Sequence, residues 1–334
     1  MKIIVDAFGG DNAPLEIIKG CIDAKNELGV DIMLTGKKED IEKCARDNSL
    51  DISSFEIKNA DTVFQMTDTP SEIVKSKRGT SLGVGIDALA DGEGDAFVSA
   101  GSTGAILVGG TLIAKRIKGI KRPALAAVMP SNSNPFILVD TGANCECNSE
   151  MLCQFAMLGS LYMEKILGVN KPKVALANIG TEETKGTPLA VETYQKLKEM
   201  KNINFIGNIE ARSIPFGEAD VIVADGFSGN MIIKMYEGAA KAISNQVKDV
   251  FKKNIFTKLA YLGVKSGMDD FKERMNYKKY GGAPLVGVSK PVFKAHGSSD
   301  AYAIKNTIAQ AVKYVDSGFI EIVEKSLKGN ENNE

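Results

Sequence analysis

Short apolar runs and amphipathic stretches alternate along most of this chain. Residues 3–6 (IIVD), 31–36 (DIMLTG), 96–99, 124–129, 136–140, 173–179, 205–207 and 220–224 are short, apolar and bounded by Gly, Asn, Asp or Ser, as strands are. Helical patterns fall between them. Ile17, Ile18, Cys21 and Ile22 recur at helical spacing behind Pro14, with Asp11 or Asn12 as the expected cap, and 38–48 is a charged amphipathic helix. Strands that are apolar throughout, alternating with such helices, predict a mainly parallel sheet covered on both faces. Ligands of such sheets sit beyond the carboxyl ends of the strands.

Those ends are the unusual part of the sequence. SAGSTGA, VDTGANCEC, NIGTEETKGTP, GNIEAR, ADGFSGN and KAHGSSDA all combine Gly with Asn, Ser, Thr or an acid, mostly just after a strand. Loops of this kind at one end of a sheet predict a shared pocket lined by backbone amides and small polar groups. The loop 99–104 leads from the strand into a small-residue helix starting near Ala105. It exposes N–H groups and hydroxyls beside a helix N-terminus, which suits a phosphate or carboxylate. It is neither the Gly-x-x-x-x-Gly-Lys loop nor the Gly-x-Gly-x-x-Gly fingerprint.

Residues 226–275 break the alternation. Ile232, Tyr236, Ala239, Ile243, Val247 and Val250 form one long helical stripe, followed by NIFTKLAYLG and a second helical stretch near 269–275. Two antiparallel helices are expected, 228–276, with Phe256, Leu259 and Leu262 at an apolar tip. Between 241 and 265 there are six Lys and one Asp. An apolar tip with a basic collar suits an anionic lipid surface; packing against a second subunit is the other reading. Beyond a Gly/Pro turn at 281–287 come an apolar run, 292–296, and a helix that Ser298 or Ser299 can cap, with Asp300 in its first turn. The final residues, 329–334, have a disordered composition.

Composition narrows the chemistry. Net charge is -1, apolar residues make up 44% and charged residues 25%, so nothing global argues for nucleic acid. Five cysteines with no evident framework fit a reducing cytosol, and no signal peptide or membrane span is visible. His296 is the sole histidine. It lies between a strand end and a helix start in a Gly/Ser loop, a context that suits a functional ring. Histidine-cluster metal sites are excluded, and the spacing of Cys145, Cys147 and Cys153 lacks the paired C-x-x-C form of a zinc site. Cys147 is a candidate covalent nucleophile, with a structural thiol as the alternative. Lys115, Arg116, Lys118, Lys121 and Arg122 form a dense basic run, either a solvated face or a dock for an acidic partner.

Taken together, VDAFGGDNAP, SAGSTGA, RPALA, DTGANCEC, NIGTEETKG, GNIEAR, ADGFSGN, YGGAPLVG and AHGSSDAYAIKN resemble the bacterial acyl-acyl carrier protein:phosphate acyltransferase family from Met1 to about Val315. This chain departs from the family at Phe8, Ser102 and Ala211, where Met, Asn and Gly are common. The resemblance implies a Rossmann-like three-layer α/β/α sandwich related to phosphotransacetylases and to isocitrate and isopropylmalate dehydrogenases. It implies one catalytic α/β domain, 1–330, with the helical arm inserted in it. It further implies a cytosolic homodimer, peripherally bound to the membrane, that moves a long-chain acyl group from acyl carrier protein to inorganic phosphate. The acyl phosphate would feed glycerol-3-phosphate acylation by a membrane enzyme.

That chemistry needs no cofactor or metal. Phosphate is a competent nucleophile and a thiolate a good leaving group, so the protein chiefly aligns the reactants and stabilises the oxyanion. Ser99, Gly101, Ser102, Thr103 and Gly104, with Ser298 and Ser299 at the last helix start, are expected to cradle phosphate, and Lys305 to add charge. His296 is expected to orient phosphate or donate to the oxyanion, with Asn178, Lys185 and Asn230 lining the thioester site. The basic run 115–122 would dock the carrier protein. Rival readings are a phosphotransacetylase-like enzyme using coenzyme A thioesters and a non-enzymatic membrane-surface scaffold. A nicotinamide-dependent dehydrogenase is disfavoured, because neither a suitable acidic cluster nor the dinucleotide fingerprint is present.

Overall fold

A computed structural model of the chain describes residues 1–274 and 276–331. Its elements in order are β1 (Lys2–Asp6), α1 (Leu15–Leu28), β2 (Asp31–Gly36), α2 (Lys38–Asp47), β3 (Glu56–Asn59), α3 (Ser81–Ala90), β4 (Ala96–Ser99) and α4 (Thr103–Leu112). Then come β5 (Ala124–Met129), β6 (Phe136–Val139), α5 (Ser149–Lys165), β7 (Lys173–Asn178), α6 (Pro188–Glu199), β8 (Asn204–Glu210) and β9 (Val221–Val223). The last elements are α7 (Gly226–Lys252), α8 (Ile255–Arg274), β10 (Ala283–Val286), β11 (Val292–Lys294), α9 (Ala301–Asp316) and α10 (Phe319–Glu331). The eleven strands among the described residues share one sheet in the order β3-β2-β1-β4-β11-β10-β5-β6-β9-β7-β8, between two helical layers.

Most pairings are parallel, but three successive ones, β11–β10, β10–β5 and β5–β6, are antiparallel. Three reversals in a row turn the sheet over. The strands from β3 to β11 point one way, and those from β6 to β8 point the other. The Gly-rich loops therefore do not share one end, as expected from the sequence. SAGSTGA and KAHGSSDA lie at one end, and NIGTEETKGTP and GNIEAR at the opposite end. The reason is the short β5–β6 connection, which pairs those two strands antiparallel; β10, inside the stretch 281–287 expected to be only a turn, is antiparallel to both neighbours and leaves β5 running with β4.

The two faces differ. On one, a continuous core runs the length of the sheet, from Ile3 and Val5 through Ala126 and Val128 to Val174 and Val223, under α1, α5 and α9. On the other face the core is divided. One cluster gathers Leu82, Ile86, Phe97, Ile106, Leu125 and Leu285 around α3 and α4. A separate cluster gathers Met129, Phe136, Leu138, Ile209 and Ile222, with α7 against it.

Several local expectations change. α1 begins at Leu15 behind Pro14 with no side-chain cap from Asp11 or Asn12, and α9 is capped by Asp300 rather than by either serine. NIFTKLAYLG is not a connector: α8 begins at Ile255, so Phe256, Leu259 and Leu262 occupy its first turns and are 78%, 58% and 67% exposed. α10 continues to Glu331, into the stretch 329–334. The rest of that tail, and Met275 of the arm, lie outside the described residues.

Candidate active site

A cleft of about 570 Å³ lies across the strands where the sheet reverses, on the face whose core is divided. Its size falls in the range of small-molecule pockets, about 300–1,000 Å³. It draws residues from both halves: Gly10, Asp11, Gly101, Thr103, Lys294 and His296 from the first, Thr141, Gly142, Asn230, Lys234 and Glu237 from the second.

The first half builds the polar end. β4 stops at Ser99, whose hydroxyl donates to the buried Asp6 Oδ2 at 2.7 Å and accepts from the Gly101 N–H at 3.0 Å. Gly9 must be glycine for this turn to close, since a Cβ there would stand 2.6 Å from Gly101 N. Ser102 caps α4, its Oγ accepting from Ala105 N at 3.4 Å. Gly104 packs on Pro70, where a Cβ would come within 2.6 Å. So of the expected loop, Gly101 and Thr103 line the cleft, while Ser99, Ser102 and Gly104 shape the turn that presents them.

Lys294 ends β11 beside Ser99. Its ammonium donates to the carbonyls of Ala100, at 3.4 Å, and Ala295, and lines the cleft. Burial pushes it down to about 8, opposed by the negative charge of Asp11. A lysine has three donors. Two are held by carbonyls, and the third is available to an anion.

His296 follows two residues later. The Ser298 N–H donates to Nδ1 at 3.2 Å, and the Ser298 hydroxyl lies 2.9 Å from the same atom. A backbone N–H only donates, so the neutral ring carries its proton on Nε2. That nitrogen faces the Glu237 carboxylate at 3.8 Å. Burial raises the Glu237 carboxyl above its ordinary range, with His296 and Lys234 pulling the other way.

The second half supplies the opposite wall through α7. Asn230, Ile233, Lys234 and Glu237 recur at the spacing of one helical face. The first turn of α7 presses so closely on the loop after β6 that a Cβ at Gly229 would stand 1.8 Å from the Asp140 carbonyl oxygen. The Asp140 carboxylate holds that loop, accepting from the N–H groups of Leu125, Gly142, Ala143 and Asn144 at 2.7–3.1 Å and from the Asn144 amide at 2.9 Å.

Other expected residues are elsewhere. The N-terminus of α9 is already filled by carboxylates: Asp300 accepts from Ala303 N and Glu16 from Ala301 N, each at 3.0 Å. It is not an open phosphate cradle. Ser298 serves His296, and Ser299 is buried with no hydrogen-bond partner for its hydroxyl. Lys305 pairs with Glu27 at 3.0 Å, away from the cleft lining. Asn178 braces its own loop, donating to the Lys185 carbonyl at 3.0 Å, and neither residue lines the cleft, because β7 ends on the far side of the reversed half-sheet. Burial pushes the Cys147 thiol up to about 12, and it donates to the Asn144 carbonyl at 3.4 Å, so it is a structural thiol.

The family model described as fatty acid synthesis protein matches residues 1–322. A phosphate acyltransferase from Alkaliphilus oremlandii is 44% identical over 98% of this chain and 97% of its own length. One from Caldanaerobacter subterraneus is 43% identical over 98% of each. The chain belongs to the phosphate acyltransferase family. It is therefore an enzyme of a family tied to fatty acid synthesis. Among solved structures, a phosphotransacetylase from Streptococcus pyogenes superposes with a TM-score of 0.62 over 95% of this chain and 94% of its own, at 18% identity. A 4-hydroxythreonine-4-phosphate dehydrogenase from Salmonella typhimurium reaches 0.53 over 93% and 98%, at 9% identity. These likenesses establish the Rossmann-like α/β/α fold.

For a phosphate acyltransferase the most useful residue that sequence reading passed over is Lys294. Its signal was a charged residue closing an apolar strand, VFK, two positions before the only histidine. Lys234 and Glu237 share their helix with the long apolar stripe, and their signal is a polar set recurring at helical spacing from Asn230.

Proposed function

We propose that this enzyme moves a long-chain acyl group from the thioester of acyl carrier protein to inorganic phosphate, releasing acyl phosphate for phospholipid synthesis. The observation that carries the reading is Lys294, a largely buried cation with a donor open to the cleft, set beside an imidazole whose Nδ1 is held by the Ser298 N–H. Phosphate held by Lys294 and Thr103 lies against a thioester carbonyl directed at His296 Nε2. A phosphate oxygen attacks the carbonyl carbon, and the Nε2–H stabilises the oxyanion. Collapse breaks the C–S bond, leaving the acyl–phosphate C–O bond, and the proton of hydrogenphosphate ends on the thiol. Asn230, on the facing helix, is placed to hold the thioester.

Basic residues 115–122 are exposed and suit an acidic carrier protein. Arg116 is partly engaged with backbone carbonyls of Ile120 and Lys121, and Lys121 pairs with Glu150; Lys115, Lys118 and Arg122 make no salt bridge among the described residues. The arm of α7 and α8 serves dimerisation and contact with an anionic lipid surface, keeping the enzyme in the cytoplasm but beside a membrane glycerol-3-phosphate acyltransferase. Among the described residues no helix is long and apolar enough to cross a membrane. The phosphotransacetylase-like structures favour a second reading, in which coenzyme A thioesters are the donors.

Hydroxylamine trapping of acyl phosphate, with carrier-protein and coenzyme A thioesters compared side by side, tests both. Preference for the carrier-protein donor, lost in Lys118→Glu with Arg122→Glu, is expected. Equal use of coenzyme A thioester, insensitive to that double substitution, would favour the second reading.

A further inference from the structure

Ala127 occupies an unusual place. It is 7% exposed, yet it joins neither apolar cluster on its face of the sheet. Strand alternation puts Leu125, Ala127 and Met129 on that face, with Leu125 in one cluster and Met129 in the other. The division of the core thus falls at Ala127, and all three residues line the cleft. The β10–β5 register pairs Leu285 with Leu125, so its continuation sets Ala283 opposite Ala127. Ala283 in turn pairs with Lys294. A single row across three strands therefore runs from the buried ammonium, over two alanines, into the gap between the cores. Ile233 of α7 faces that gap from the other wall.

An apolar trough left open between two cores, continuous with a cation, suits an alkyl chain joined to a polar reacting group. We infer that the acyl chain lies over Ala283 and Ala127, and that Ala127, Met129 and Ile233 set the length it can reach. The inference rests on reading the site as a phosphate acyltransferase. The small side chains leave the floor open, and the chain completes the core that the protein leaves divided. Enlarging the floor shortens the trough.

The test compares palmitoyl and octanoyl thioesters of acyl carrier protein in phosphate-dependent turnover. Ala127→Leu is expected to lower the palmitoyl-to-octanoyl ratio of kcat/KM by about 10–200-fold, the scale on which an apolar pocket discriminates extra methylenes. Ile233→Trp narrows the trough from a half-buried helical position and is expected to shift the ratio the same way, so the test survives if Ala127→Leu does not fold. Equal losses on both donors, or an unchanged ratio in the folded variants, would overturn the inference. Thermal shift with the two thioesters in the absence of phosphate gives a readout independent of turnover. A chain-length-dependent shift that Ile233→Trp reverses supports the trough even if no phosphate is consumed, and that second result would count against the acyl transfer itself.

Discussion

His296 Nε2 stands 3.8 Å from a carboxylate oxygen of Glu237, and the neutral ring offers that side of the cleft only a proton, because the Ser298 N–H holds Nδ1. The histidine is therefore arranged as a donor toward developing negative charge rather than as a base toward phosphate.

Replacing His296 by Ala is expected to lower kcat/KM by about 10²–10⁴-fold, the range for a side chain that moves or donates a proton in the transition state. His296→Gln retains an N–H donor and should recover part of the loss. Steady-state kinetics with the carrier-protein thioester check both, and a loss below about threefold in His296→Ala would remove the ring from the mechanism.

Lys294→Met should raise the KM for phosphate by about 10–100-fold, the worth of one hydrogen bond to a charged group. Because burial holds Lys294 down to about 8, it is charged below that pH and loses its charge above it. Phosphate affinity should fall as pH rises through about 8, and Lys294→Met should lack that limb of the profile. The stability effect has the opposite sense. An unfolded lysine titrates near about 10.4, so between the two values the unfolded chain binds more protons and stability rises with pH. Melting temperatures from pH 7 to 10 should show this rise in the wild type and less of it in Lys294→Met.

The arm can be tested apart from the cleft. Phe256→Glu with Leu259→Glu places charge on two exposed apolar positions in the first turns of α8. Flotation with vesicles containing anionic lipid should be lost while the circular dichroism spectrum is kept. Flotation unchanged by the double substitution would assign the arm to subunit packing alone.

Much of the layered fold was legible because it rests on repetition. Strands such as β5 and β6 are apolar for their whole length, as only doubly covered strands are, and their bounds follow from composition. β10 was not legible. It is four residues long, begins behind two glycines and contains Pro284, so it reads locally as a turn; only pairing with β5 and β11 makes it a strand. The reversal itself comes from the β5–β6 pairing, and Asn178 and Lys185 stand apart from His296 because β7 lies two strands beyond β6 in the reversed half. Lys305 shows a different limit. Its position one turn into α9 was correct, but its direction depended on Glu27 of α1, which no local pattern ties to it. Glu16, likewise, fills the helix end expected to hold phosphate from a distant part of the chain.

The order of strands also bears on how the protein comes into being. β11, the last strand in sequence, inserts beside β4 of the N-terminal half, whereas β5 to β9 are consecutive along the chain. During synthesis the middle of the molecule can close on itself while the first segment still lacks its central strand. Lys294 arrives on that late strand. A product terminated between residues 287 and 293 would carry the trough, the facing helix and the arm, yet lack Lys294.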